Sequence, residues 1–285
     1  ANLGVILKGL GDPEGKRVRC YQQAIELDPN NVIYLTNLAG ALNEQGSYNE
    51  AAHFAKRACE LDSQHPEAWF NLGSALRNQK KFGEAAKCFA AASDLRPSWV
   101  EALVASGSVW MEVSDWKKAG QALYKALGIL SSDTHQTLRL DICKKLGVVC
   151  QHLNKHSDAV VCYREALSGQ QDDIEALTNL GNSLKVLGQF DEANTCYDRV
   201  LELMSSSGGA WCNKGTLEQT LGNYEAAIEC YEKAIQLQPA LFPIWSNLGN
   251  CLTYSPAHTP SEVRVSYGEF DRVIAQPLLD NRPYQ

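Results

Sequence analysis

A repeat of 34 residues governs what this chain can fold into. Ala51, Ala85 and Ala119 stand 34 apart, as do Ala159, Ala193 and Ala227, the glycines Gly181, Gly215 and Gly249, and the pair Trp211 and Trp245. A chain written at such a period does not gather around one central core. Each unit buries its apolar face against its neighbours, so the period itself selects a stacked architecture. Residues 66–97 show what is repeated. Trp69, Leu72, Gly73 and Leu76 fall on one helical face, Ala85, Phe89 and Ala92 on a second, and Pro97 stops the second run. A polar turn over residues 78–82 separates them. The unit therefore reads as an antiparallel helix pair, with Gly73, Ala85 and Ala92 where the backbones approach most closely.

Along the chain the first unit is cut, with residues 1–4 matching the middle of a first helix. Units follow at residues 32–63, 66–97 and 100–131. The spacing then lengthens, because Ala119 and Ala159 stand 40 apart. The extra six residues fall near residues 131–139 and predict a longer loop or a longer helix, with a bend or break in the stacking. Further units centre on Gly147, Gly181 and Gly215, and an eighth opens at Trp245 and departs from the pattern at Tyr254. Thr259-Pro260-Ser261-Glu262 then combines a capping box with proline at the first helical position. Val263, Tyr267, Phe270, Val273 and Ile274 recur behind it at helical spacing until Pro277.

The W…LG…A…Y/F…A…P pattern at this period resembles the tetratricopeptide repeat (TPR) family, over roughly residues 1–254. The resemblance implies an all-α, right-handed superhelix of seven repeats, the first truncated, plus a partial eighth. Residues 255–285 are expected to form a capping helix and a linker toward a further C-terminal region.

Composition narrows the function. The net charge is −7, from 26 basic and 33 acidic residues mixed along the chain. No basic stripe offers itself to nucleic acid or an anionic membrane, and no apolar run approaches a membrane span. Five of the ten cysteines (Cys20, Cys88, Cys162, Cys196 and Cys230) stand immediately before the aromatic of a second helix, and so recur because the repeat recurs. Neighbouring repeats lie about 10 Å apart, beyond the roughly 7 Å that a disulfide spans between Cα atoms. Small apolar thiols in a reducing compartment, cytosol or nucleus, are expected.

No nucleophile elbow, Walker loop or Cys-x-x-Cys pair occurs, and the GLGDPEG stretch at residues 9–15 follows no strand and fits a helix–helix turn. His152 and His156 have metal-like spacing, but His156 is expected in the turn after its helix. No catalytic residue and no cofactor is assigned to this chain.

The informative positions are those that the family's groove would display. Asparagine precedes the leucine of the first helix at Asn2, Asn37, Asn71, Asn179, Asn213 and Asn247, and the series breaks at Ala105 and Lys145. In a TPR superhelix the first helices line the concave groove, which makes these residues a ladder. A carboxamide both donates and accepts, which suits the backbone of an extended peptide. The same side chains could instead bond neighbouring helices, and the repeat pattern leaves both readings open. Asn182 and Lys185 join the candidate peptide-binding set, beside mostly neutral neighbours such as Thr36, Asn43 and Phe70. The carboxylate clamp of chaperone-binding TPR proteins is not matched: Val148 stands where that clamp has asparagine, and Asn213 where it has arginine.

Repeats written W-x-N-L-G with C-Y in the second helix resemble those of protein O-linked N-acetylglucosamine transferases and their SPINDLY-type relatives. Residues 242–256, ending Leu252-Thr253-Tyr254-Ser255-Pro256, resemble the junction where such repeats hand over to the transferase region. Threonine replaces the junction asparagine here, and Phe270 stands where tryptophan is common. The resemblance implies a nucleotide-sugar-dependent protein O-glycosyltransferase whose catalytic residues lie beyond Gln285, with this chain as its substrate-recognition arm. The alternative is a free-standing scaffold that assembles partner proteins. Extended polypeptides are the expected partners, and self-association through the convex face or an end repeat is a further expectation.

Overall fold

The computed structural model describes residues 15–130, 135–240, 242–257, 265, 268–270 and 272. The described residues are helical with short turns, as expected for an all-α repeat chain. The chain forms two compact units, residues 1–153 and 154–285.

In the first unit α1 (Lys16–Leu27) is the second helix of the truncated repeat. The pairs α2 (Val32–Glu44) with α3 (Tyr48–Leu61), α4 (Pro66–Asn78) with α5 (Phe82–Leu95) and α6 (Val100–Glu112) with α7 (Trp116–Ile129) follow, and α8 (Gln136–His152) completes it. The second unit holds α9 (His156–Gly169), the pairs α10 (Ile174–Val186) with α11 (Phe190–Leu203) and α12 (Gly208–Leu221) with α13 (Tyr224–Leu237), then α14 (Phe242–Tyr254). Within each unit every helix packs on the one before and the one after it. α8 has 17 residues where α4, α6 and α10 have 13, so of the two outcomes expected for the inserted residues the longer helix is the one seen. Two expectations need correcting. α8 packs against α7, so stacking is not broken at the insertion. His156 opens α9 rather than lying in the turn before it.

The repeated Leu-Gly and the repeated aromatic prove to be one contact. A methyl group at Gly181 would lie 2.6 Å from Cε1 of Tyr197, and one at Gly73 would lie 3.0 Å from the Phe89 ring. Tyr197 and Tyr231 are wholly buried and Phe89 nearly so. Glycine is required because the ring of the second helix sits against the backbone of the first, where a Cβ would stand. The second repeat demonstrates the rule by exception. It has Ala39 in place of glycine and Ala55 in place of the aromatic, and both are buried in one cluster. Small fits small where the ring is missing.

The turns inside the pairs also share one device. Gly46, Lys80, Ser114, Gly188 and Gly222 all have φ between 59° and 82°, the left-handed region. That conformation reverses the chain in a minimal turn, and two of these five turns adopt it with a non-glycine residue.

The helix expected after Thr259 lies largely outside the described residues. Residues 265 and 268–270 are helical, and the Phe270 ring stands 6.2 Å from that of Trp245 at 60°.

Candidate functional site

Between α2 and α4, with α1 at one edge, runs a groove of about 370 Å³. Asn37, Gly40 and Glu44 of α2 and Phe70, Asn71 and Ser74 of α4 line it, each set at helical spacing. It joins residues that the sequence singled out (Asn37, Asn71, Thr36, Asn43 and Phe70) to others that the period does not reveal. Trp99 is the chief of these. Its ring lies 4.7 Å from that of Phe70 at 31°, with the Arg96 guanidinium 4.9 Å above it. Trp99 sits in a turn between repeats, where the repeat pattern carries no signal. Arg17, buried at the groove edge, ion-pairs with Glu44.

The asparagines divide into different roles. The Nδ2 of Asn71 donates to the Thr36 carbonyl at 2.9 Å, and the Nδ2 of Asn43 donates to the Asn71 carbonyl at 2.9 Å. These two bonds clasp adjacent repeats. Asn71 also packs over Gly40, where a methyl group would meet its Nδ2 at 3.3 Å. Asn37, Asn213 and Asn247 are half-buried and make no side-chain hydrogen bond among the described residues. Asn179 is half-buried on α10, and its carbonyl accepts the Ser183 hydroxyl at 3.0 Å. Asn2 lies outside the described residues.

Asn182 is drawn into the repeat itself. The Tyr197 hydroxyl donates to its Oδ1 at 2.9 Å, and one repeat later the Tyr231 hydroxyl donates to Gln219 Oε1 at 2.9 Å. A buried phenol needs an acceptor, and polar residues on the first helix supply it. Phe89, without a hydroxyl, needs none. Burial pushes both tyrosines well above their ordinary pKa. Lys185 is half-buried on α10. Burial lowers its ammonium below the ordinary lysine value, and the neighbouring Cys212 thiol opposes that shift.

Two groove atoms are anomalous. Thr36 is 4% exposed, yet its Oγ1 has no hydrogen-bond partner, and neither has the buried Oδ1 of Asn43. An unpaired buried polar atom costs about 1–3 kcal/mol, so a folded chain seldom leaves two beside one opening. Both stand in the groove, within one helical turn or two of the unbonded carboxamide of Asn37.

Farther along the same unit the ladder stops. Ala105 offers no polar group, and the Lys145 ammonium turns back to both Asp141 oxygens, at 2.6 and 2.8 Å. A second groove of about 430 Å³ opens there between α6 and α8. No helix among the described residues is long and apolar enough to cross a membrane.

The chain matches tetratricopeptide repeat models over residues 1–31, 20–53, 66–99, 174–207 and 209–241. The human small glutamine-rich tetratricopeptide repeat-containing protein beta is 56% identical over 34 residues, which span 12% of this chain and 11% of that protein. Among solved structures, YrrB, described as a TPR protein with an unusual peptide-binding site, matches with a TM-score of 0.58 and 24% identity, covering 67% of this chain and 96% of its own. The C-terminal part of a TPR repeat-containing protein from Cytophaga hutchinsonii matches with a TM-score of 0.64 and 12% identity, covering 87% and 98%. At these identities the structures bear on the fold. Together with the helix pairs and the glycine–ring contacts, the repeat matches establish that the chain belongs to the tetratricopeptide repeat family.

Proposed function

We propose that this chain binds extended polypeptide along the groove of its first helices, and that the stretch between α2 and α4 is an anchoring point. TPR domains are protein-interaction modules, and one structural neighbour is described by a peptide-binding site. The observation that carries the reading is the pair of unpartnered buried atoms, Thr36 Oγ1 and Asn43 Oδ1, on two residues that line one groove beside Asn37. An acceptor, a hydroxyl and a carboxamide there match the alternating N–H and C=O groups of a peptide backbone. The Phe70 and Trp99 rings give the peptide an apolar wall. Within the second unit Asn213 and Asn247 present unbonded carboxamides of the same kind.

Thr36→Val separates this reading from a purely structural role. It removes a hydroxyl that has no partner in the free chain, so stability should rise, by up to about 1–3 kcal/mol. Peptide affinity should fall by about two- to tenfold, the equivalent of one lost hydrogen bond. Peptides selected from a display library against the whole chain, measured by calorimetry beside urea unfolding, give both numbers. Asn213→Ala with Asn247→Ala should weaken peptides bound to the second unit and leave stability unchanged. A Thr36→Val chain that binds selected peptides as well as the parent refutes the anchoring point.

The finer reading is that the groove is the substrate-recognition arm of a protein O-glycosyltransferase. It rests on the W-x-N-L-G and C-Y repeats and on the Leu252-Thr253-Tyr254-Ser255-Pro256 junction. The coding sequence downstream of Gln285 tests it: a two-lobed α/β transferase region supports the arm, and a stop or an unrelated domain supports a free-standing scaffold.

A further inference from the structure

The interruption of the ladder has a chemistry of its own. Where Asn71 reaches back to clasp the preceding repeat, Ala105 has only a methyl group, and the space of a carboxamide stays open above it. Val104, Phe82 and Leu138, all half-buried, wall that space with apolar surface. Glu101, Val104, Ala105, Ser108 and Glu112 share one face of α6, at spacings of three, one, three and four. On α8, Asp141 neutralises Lys145. Glu101 and Glu112 are exposed and have no ion-pair partner among the described residues. Arg77, which ends α4, is the other cation lining this groove, so the three carboxylates of Glu101, Glu112 and Asp141 outnumber the two cations. Of the two unpaired carboxylates, Glu101 lies one helical turn (about 6 Å) from Ala105. The net charge of −7 adds a long-range pull in the same sense.

We infer that this gap is a specificity pocket of the peptide groove, selecting a segment with an apolar side chain over Ala105 and a lysine or arginine within two positions of it at Glu101. Side chains two positions apart on an extended strand share one face about 6.7 Å apart, which matches the spacing of the two features. The inference rests on the peptide-binding reading and adds sequence preference to a ladder that otherwise grips backbone.

The test is a positional-scanning array of 12-residue peptides, built on a sequence selected against the whole chain. The unaltered chain should favour one apolar position paired with a basic residue within two positions, by about five- to tenfold over alanine at either. Ala105→Asn, which fills the gap and restores the ladder residue, should erase the apolar preference while keeping binding that depends on Asn37. Glu101→Gln, an exposed change that leaves the fold alone, should erase the basic preference only. A chain whose binding depends on Asn37 but shows neither preference, or keeps both in Ala105→Asn and Glu101→Gln, overturns the pocket and leaves the groove reading standing. A chain that captures no peptide from the library overturns both.

Discussion

Replacing Gly181 by alanine should have opposite signs in two backgrounds. A methyl group at this position lies 2.6 Å from Cε1 of Tyr197 and 3.1 Å from its Cδ1 and Cζ. The ring cannot retreat freely, because it is wholly buried and its hydroxyl is tied to Asn182 Oδ1 at 2.9 Å. Overpacking of this kind costs about 1–3 kcal/mol, and a ring displaced from its acceptor forfeits about 0.5–1.5 kcal/mol more. Against this, alanine in a helix interior is favoured over glycine by about 1 kcal/mol. Gly181→Ala should therefore destabilise the chain by roughly 1–3 kcal/mol. In a Tyr197→Ala background the ring is gone, and the repeat takes the small-on-small form that Ala39 and Ala55 already show. There only the helix preference remains, and Gly181→Ala should stabilise by about 0.5–1 kcal/mol. Urea unfolding of the four chains, followed by far-ultraviolet circular dichroism, completes the cycle. Equal destabilisation in both backgrounds would show that the glycine is needed for something other than the ring above it.

The shared left-handed turn makes the second prediction: Gly188→Ala should cost about 1–2 kcal/mol, and Lys80→Gly should gain up to about 1 kcal/mol, both as shifts in the urea midpoint. The buried thiols make the third. Burial pushes Cys59 up to about 12 and Cys88, Cys196 and Cys251 up to about 11, from an ordinary value of 9.0. The unfolded chain then loses these protons first, so their contribution is intact below pH 9 and is lost as the pH climbs toward 11–12. Each thiol should cost about 1 kcal/mol of stability between pH 8 and 10, and Cys59→Ala with Cys88→Ala should flatten that slope.

Legibility followed the period. Positions that recur answer to contacts that recur, so a glycine and an aromatic 16 residues apart, as at Gly73 and Phe89, Gly147 and Tyr163, Gly181 and Tyr197, and Gly215 and Tyr231, announce a helix pair before any coordinate is seen. The cysteines before the aromatics and the turns between helices belong to the same class. The asparagines recur as faithfully, and there the period misleads, because one letter at one register covers different bonds. Asn71 clasps a neighbouring carbonyl, while Asn213 and Asn247 stay unbonded among the described residues. A hydrogen bond is made or lost over a few tenths of an ångström, and that distance is set by how two particular repeats settle on each other. The groove around Trp99 was invisible for a related reason, since its wall comes from a turn that the repeat does not constrain.

From its letters alone this chain is committed to stacked helix pairs, because a 34-residue unit with one apolar face per helix has no other place to bury it. Which polar groups are satisfied inside that stack, and which are left without a partner beside a groove, was decided only in three dimensions. Burial of an apolar face depends on composition and spacing, whereas satisfaction of Thr36 Oγ1 or Asn43 Oδ1 depends on what lies within hydrogen-bonding reach.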